Sequence, residues 1–287
     1  MTSKEIENFI ASLIDLPENT LKLKDEVAFD LPIVGYASGE DLMFGVKEYE
    51  NHIPGLHPAE WLDAKYGHSY KPSRISVISW ALPIPQSVRE KMRAEQYYPC
   101  MEWSLNANYG QAFIRQMATR LEDFFEEHGI DAISPIADDR VRRMRAEHGL
   151  STNWSESMAA YICGLGTIRK PYGVITEIGS CVQLGSIIVV TKLPPSVRKY
   201  TRLNEYCANC GACAKRCPVG AVKGDDVDRR LCRMYQTLIV LPHVKDKFGF
   251  DGVYDCGLCK TDVPCESCRP ILAMPEHTCK TDVTETG

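Results

Sequence analysis

Apolar residues recur at helical spacing between residues 4 and 15, where Ile6, Phe9, Ile10, Leu13 and Ile14 fall on one face. Residues 28–36, AFDLPIVGY, read as extended chain. KPSRISVISWAL predicts a strand ending near Leu82, because Pro83 and Pro85 stop it. SVREKMRAEQ opens at a serine cap and predicts a helix. The strongest amphipathic stretch runs from Tyr109 to His128, with Phe113, Met117, Leu121, Phe124 and Phe125 on one face and Gly129 as its stop. A short strand at DAISPI, a charged helix around 138–148, a helix over SESMAAYI and a buried strand in QLGSIIVVTKL follow. After residue 205 cysteine and proline replace this periodicity, with no repeat of solenoid length. The pattern predicts an α+β domain over 1–200 and a cysteine-bound module over 201–287.

A chain of 287 residues, 44% hydrophobic and 25% charged, buries an ordinary core without crosslinks. Its formal charge of -5 argues against a surface built wholly for nucleic acid. MTSKEIENFIASLIDL has neither a basic leader nor a long apolar run, and LGSIIVV at 184–190 is too short to span a bilayer. The expectation is a cytoplasmic protein without a membrane partner. Thirteen cysteines in that compartment point to metal rather than disulfides.

The segment CANCGACAKRCPVGAV places Cys207, Cys210, Cys213 and Cys217 at the spacing C-x2-C-x2-C-x3-C, followed by Pro218. Three thiolates on one tight loop suit three corners of an iron–sulfur cubane, and Ala208, Gly211 and Ala212 let amides approach the sulfides. Structural zinc fits poorly, because its C-x2-C pairs usually lie a dozen or more residues apart. In two-cluster ferredoxins the fourth cysteine of such a run serves the other cluster. Two [4Fe-4S] clusters are therefore expected. Cys207, Cys210 and Cys213 take one with Cys265 or Cys268, Cys265 being favoured; Cys217, Cys232, Cys256 and Cys259 take the other. Cys279 falls in the tail, and Cys100, Cys163 and Cys181 read as small buried residues. A two-cluster wire needs far less chain than this, so the preceding 200 residues are expected to receive electrons.

Those residues resemble the epoxyqueuosine reductases and their relatives the reductive dehalogenases. SESMAAYICGLGTIRK and ITEIGSCVQLGSIIVVTKLPP carry the resemblance into the cysteine module, as do VGYASGEDL and SVISWALPIP before them. Glu156, Gly164, Leu165, Gly166, Ile168 and Lys170 meet the pattern Glu-x7-Gly-Leu-Gly-x-Ile-x-Lys. The resemblance implies a nitroreductase-like cobalamin-binding domain joined to a two-cluster ferredoxin module. It also implies an oxidoreductase in which electrons from an external low-potential donor reach a corrinoid that reduces a small organic substrate. Gly164, Gly166, Thr167, Gly185 and Ser186 are the residues it places near the corrinoid; the alternative for the GLG run is a plain helix stop. The histidines lack ligand spacing, and no D-x-H-x-x-G motif supplies one to cobalt.

The departures from the family matter too. The family's proton-donating aspartate falls on Leu150, and Val263 stands where a cysteine of the second motif is expected. No helical-repeat appendage for tRNA follows, so tRNA epoxyqueuosine reduction is not expected. Tyr109 is the substitute acid the resemblance offers, against the reading that its ring merely packs. Arg140, Arg142, Arg143 and Arg145 could clamp an anion, or line a solvated helix face. A cobalamin carrier or activator serving another protein, an electron relay without its own substrate, and a flavin in place of cobalamin stay open as alternatives.

Overall fold

The computed structural model describes residues 1–45, 57–138, 153–224, 226–251 and 255–270, and the backbone alone of 143–146 and 149–152. Helix α1 (Ser3–Ser12) opens with a capping box: the Thr2 hydroxyl accepts from Glu5 N–H at 3.3 Å, and the Glu5 carboxylate accepts from Thr2 N–H at 2.6 Å. Strand β1 (Ile33–Ser38) starts later than the extended stretch predicted from residue 28. Phe29 is held elsewhere, because the Asn19 amide pairs with both its N–H and its carbonyl at 2.9 Å. Helix α2 (Pro58–Tyr66) precedes β2 (Ser76–Pro83). Helix α3 (Gln86–Arg93) begins at Pro85 rather than at the predicted serine, since proline both ends the strand and suits a helix start.

Helix α4 (Met101–Leu105) runs through a π turn at Asn106–Gly110 into α5 (Gln111–Glu127). Phe113, Met117, Leu121 and Phe125 are buried, while Phe124 stacks on Phe9 of α1 with centroids 4.0 Å apart. After β3 (Ala132–Ile133), part of the stretch expected as a charged helix is instead strand β4 (Arg143–Ala146), paired antiparallel with β5 (Gly149–Thr152), while 139–142 and 147–148 lie outside the described residues. With Val141 and Met144 as its only large apolar residues, the stretch gives a helix little to bury, and the local pairing satisfies the backbone instead. Helix α6 (Glu156–Ile162) is capped by Ser155, whose hydroxyl accepts from Met158 N–H. Next come the pair β6 (Gly166–Ile168) and β7 (Val174–Thr176), then β8 (Val182–Val189).

The main sheet has the order β1-β2-β8-β3 and is antiparallel throughout. Alternation along β2 sorts its side chains to two faces: Ile78, Trp80 and Leu82 join α1, α3 and α5, whereas Val77 packs with α2 and α6. The result is a helix–sheet–helix sandwich.

The remaining chain is short elements and loops: α7 (Ala212–Lys215), the pair β9 (Val222–Lys223) and β10 (Asp226–Val227), α8 (Arg229–Tyr235), a π turn at Gln236–Val240, and α9 (Leu241–Phe248). This segment is docked on the sheet lobe. Ser180 N–H donates to the Cys265 carbonyl at 2.7 Å, and the Arg216 guanidinium donates to the Glu95 carbonyl at 2.8 Å. Among the described residues, no helix is long and apolar enough to cross a membrane.

Candidate iron–sulfur centre

The cysteine segment begins from a buried anchor. Tyr206 N–H donates to the Thr167 hydroxyl at 2.9 Å, tying the chain to β6. Asn209 and Gly211 then adopt left-handed conformations (φ 54 and 74) and curl the backbone tightly. Cys207, Cys210 and Cys213 consequently line one cavity of about 90 Å³ together with Cys265, from a loop more than fifty residues further on. Ala208, Gly211 and Ala214 keep its wall low. A second, wider cavity of about 990 Å³ is lined by Cys217, Cys232, Cys256 and Cys259. Ala221 N–H donates to Cys217 Sγ at 3.2 Å, and the Gln236 side-chain amide donates to Cys232 Sγ at 3.6 Å.

These are the two quartets that the spacing suggested. Cys268 lines neither cavity, and Cys279 lies outside the described residues. Among the described residues, no group of three or more His, Cys, Asp or Glu side chains is arranged to hold a single metal ion. The sulfurs ring cavities instead, a donor set suited to a multi-iron cluster with one thiolate per corner.

Buried polar contacts hold both walls in place. Glu266, beside Cys265 and 3% exposed, receives the Arg93 guanidinium at 2.7 Å and Arg89 at 3.5 Å, and accepts from Asp262 N–H at 2.7 Å. Arg216, beside Cys217, donates to carbonyls of Leu258 and Thr261 as well as to those at the end of α3. The Cys181 thiol donates to the Lys260 carbonyl at 3.1 Å, and burial pushes that thiol up to about 12. Cys100 and Cys163 are buried too, so all three isolated cysteines sit in the core.

Arg169, at the end of β6, occupies the boundary between the cavities. It is 2% exposed. Its Nε lies 3.5 Å from Cys265 Sγ, its Nη1 lies 4.0 Å from Cys259 Sγ, and its Nη2 donates to the Cys259 carbonyl. Nothing in cysteine spacing pointed to it.

The residues expected at a corrinoid all have partners within the protein. Gly164 (φ 83) closes α6 in a Schellman turn, with Leu165 N–H donating to the Ala160 carbonyl at 3.0 Å. A side chain at Gly166 would meet the Ile175 carbonyl, and one at Gly185 would meet the Trp80 ring. The Thr167 hydroxyl serves Tyr206, and the Ser186 hydroxyl accepts from the Trp154 indole at 2.9 Å. Tyr109 sits in the π turn with its ring partly buried against the main core. The side chains of Leu150 and of Arg140, Arg142, Arg143 and Arg145 lie outside the described residues. His57 caps α2 and His243 stacks on Tyr98.

Among the described residues no well-formed hydrogen bond reaches either carboxyl oxygen of Glu156, although Ser186 and Trp154 lie close enough to favour its charge, and both oxygens are sealed from water. Burial pushes this carboxyl up to about 7, against the weaker opposite pull of Ser186 and Trp154. Asn153 Oδ1 nearby in sequence is likewise buried and unpaired.

The family described as "4Fe-4S binding domain" matches residues 201–223. An epoxyqueuosine reductase of Listeria monocytogenes is 25% identical over 198 residues, which is 66% of this chain and 48% of that one. The chain thus spans about half the length of that curated relative. Among solved structures, a selenomethionine-labelled epoxyqueuosine reductase superposes with a TM-score of 0.53 at 18% identity, covering 96% of this chain and 68% of the other. A catabolic reductive dehalogenase gives 0.51 at 14% identity, covering 93% and 37%. The chain is a mixed α and β protein with a ferredoxin-like [4Fe-4S] region. Its particular likeness, in sequence and in fold, is to epoxyqueuosine reductase, with the fold extending to reductive dehalogenases.

Proposed function

We propose that this protein is a cytoplasmic iron–sulfur reductase with two [4Fe-4S] clusters, one on Cys207, Cys210, Cys213 and Cys265 and the other on Cys217, Cys232, Cys256 and Cys259. The observation that carries this reading is the pair of cavities, each lined by four thiols drawn from distant parts of the tail. An external low-potential donor supplies electrons, and the sheet lobe, read as nitroreductase-like, receives them. The likeness to epoxyqueuosine reductase supports a corrinoid as the acceptor group. Gly164, Gly166, Thr167, Gly185 and Ser186 are kept as the residues beside it, and Glu156 and Asn153, whose buried oxygens have no well-formed hydrogen bond among the described residues, are added as groups suited to its amide-bearing rim. When bound, a corrinoid supplies a strongly reducing cobalt centre.

Glu156 then takes the role assigned by the family to the aspartate that is missing here. Its carboxyl holds a proton near neutral pH, and giving that proton to a small organic substrate requires the surrounding packing to open, because both oxygens are sealed from water. Tyr109, partly buried against the main core, stays a second candidate acid. The departures from the epoxyqueuosine reductase pattern weigh against a tRNA substrate.

A second reading, an electron relay without its own substrate or corrinoid, is favoured by the internal contacts of Gly164, Gly166, Thr167, Gly185 and Ser186. Anaerobic reconstitution with iron and sulfide, followed by titration with hydroxocobalamin, separates the readings. The reductase is expected to load about eight irons per chain and to bind corrinoid one to one, with a shifted absorption spectrum. Zinc, or about four irons, would overturn the two-cluster assignment; eight irons without corrinoid binding would leave a relay.

A further inference from the structure

The Arg169 guanidinium is one cation shared between two thiol quartets. It is almost fully buried, and its electrostatic partners are Cys259 and Cys265. Among the described residues, no carboxylate forms a salt bridge with it. Arginine does not deprotonate in proteins, and an unpaired buried cation costs several kcal/mol. The compensating anions must therefore be the thiolates and whatever they bind. A [4Fe-4S] cluster with four thiolates carries net negative charge, and one-electron reduction adds another unit. A fixed cation touching a ligand of each cluster favours the reduced state of both and offsets their mutual repulsion.

We propose that Arg169 is a shared potential-setting residue, raising the reduction potentials of both clusters and easing the presence of an electron on each. This rests on the two-cluster reading above. It concerns a position that the Gly-Leu-Gly-x-Ile-x-Lys pattern leaves unspecified.

The geometry separates charge from fork. Nε faces Cys265, whereas Nη1 and Nη2 face Cys259. A lysine reaches about as far as Nε and lacks the two terminal nitrogens. Arg169→Gln removes the charge from both sides; Arg169→Lys keeps it near Cys265 alone.

The test is an anaerobic redox titration of the reconstituted full chain, followed by electron paramagnetic resonance. Cys265→Ser and Cys232→Ser assign the two signals. In Arg169→Gln both potentials are expected to fall, each by at least a tenfold change in the oxidised-to-reduced ratio, about 59 mV for one electron. In Arg169→Lys the Cys259 cluster is expected to fall while the Cys265 cluster stays near wild type. If Arg169→Gln fails to assemble, the split in Arg169→Lys decides alone. Unchanged potentials at both clusters in either variant overturn the proposal while leaving two clusters in place. Wild-type protein with a single cluster overturns the underlying reading instead, and the distinction is visible in its iron content.

Discussion

Glu156 and Glu266 are both buried carboxylates, yet their surroundings give them opposite characters. Glu266 faces two arginines and an amide, which stabilise its charge. Removing it in Glu266→Ala strands Arg89 and frees the Cys265 loop, and the expected loss is about 2 kcal/mol, below the usual 3–5 because Arg93 is part-exposed. Thermal unfolding and iron content together check this, since a purely local effect would leave iron unchanged. Glu156 has no cation to hold its charge, so its folded pKa stands above that of the unfolded chain. Protonated Glu156 costs nothing below pH about 4.5; as pH climbs through about 7 the buried carboxyl must ionise, and stability falls. Glu156→Gln is therefore expected to match wild type near pH 5 and to exceed it at pH 8 by on the order of 3 kcal/mol. A difference that does not change with pH in denaturant melts would refute the assignment. Neither behaviour could be read from sequence, because both residues are merely acids among acids until their neighbours are known.

At the scale of elements, local pattern and local structure agree wherever one face is buried. The Phe113–Phe125 stripe, the helix over SESMAAYI and the strand ending near Leu82 are all where the pattern put them. Agreement fails at 143–146, which the pattern gave to a charged helix and whose backbone pairs as β4 with β5. It also fails at β1, displaced by the Asn19 side chain, a contact ten residues away in sequence. Gly257 shows an element constrained from outside. Its φ of 65 favours glycine, and any side chain there would strike the buried Trp103 ring of α4. Gly257→Ala is expected to cost about 2 kcal/mol from backbone strain and overpacking. It shifts Cys256 and Cys259 together, so iron should fall by about half, to the four of one cluster. Loss of all iron, or of none, would show that the loop does not hold the second quartet.

For the molecule as a whole, the two parts differ in what holds them. The sheet lobe has a continuous core from Ile6 to Leu193, whereas the tail contributes few buried apolar residues, among them Ala221, Val222, Val240 and Val244. Such a segment depends on bound metal and on its contacts with α3. Chelating the iron is thus expected to expose the chain after Tyr206 to protease while the lobe before it stays resistant and keeps its far-ultraviolet signal. Cleavage throughout the chain at equal rates would mean that the lobe also depends on the clusters.

Order along the chain was enough to specify the helices and strands with a buried face and to pick out the eight cysteines proposed as ligands. Spacing within a loop and periodicity along an element are local properties, and local sterics suffice to express them. Tertiary packing was needed to bring Cys265 to the first loop, to drive Arg169 between the quartets and to bury the Glu156 carboxyl. Those outcomes depend on which distant surfaces exclude water together, and desolvation is decided by packing rather than by order along the chain.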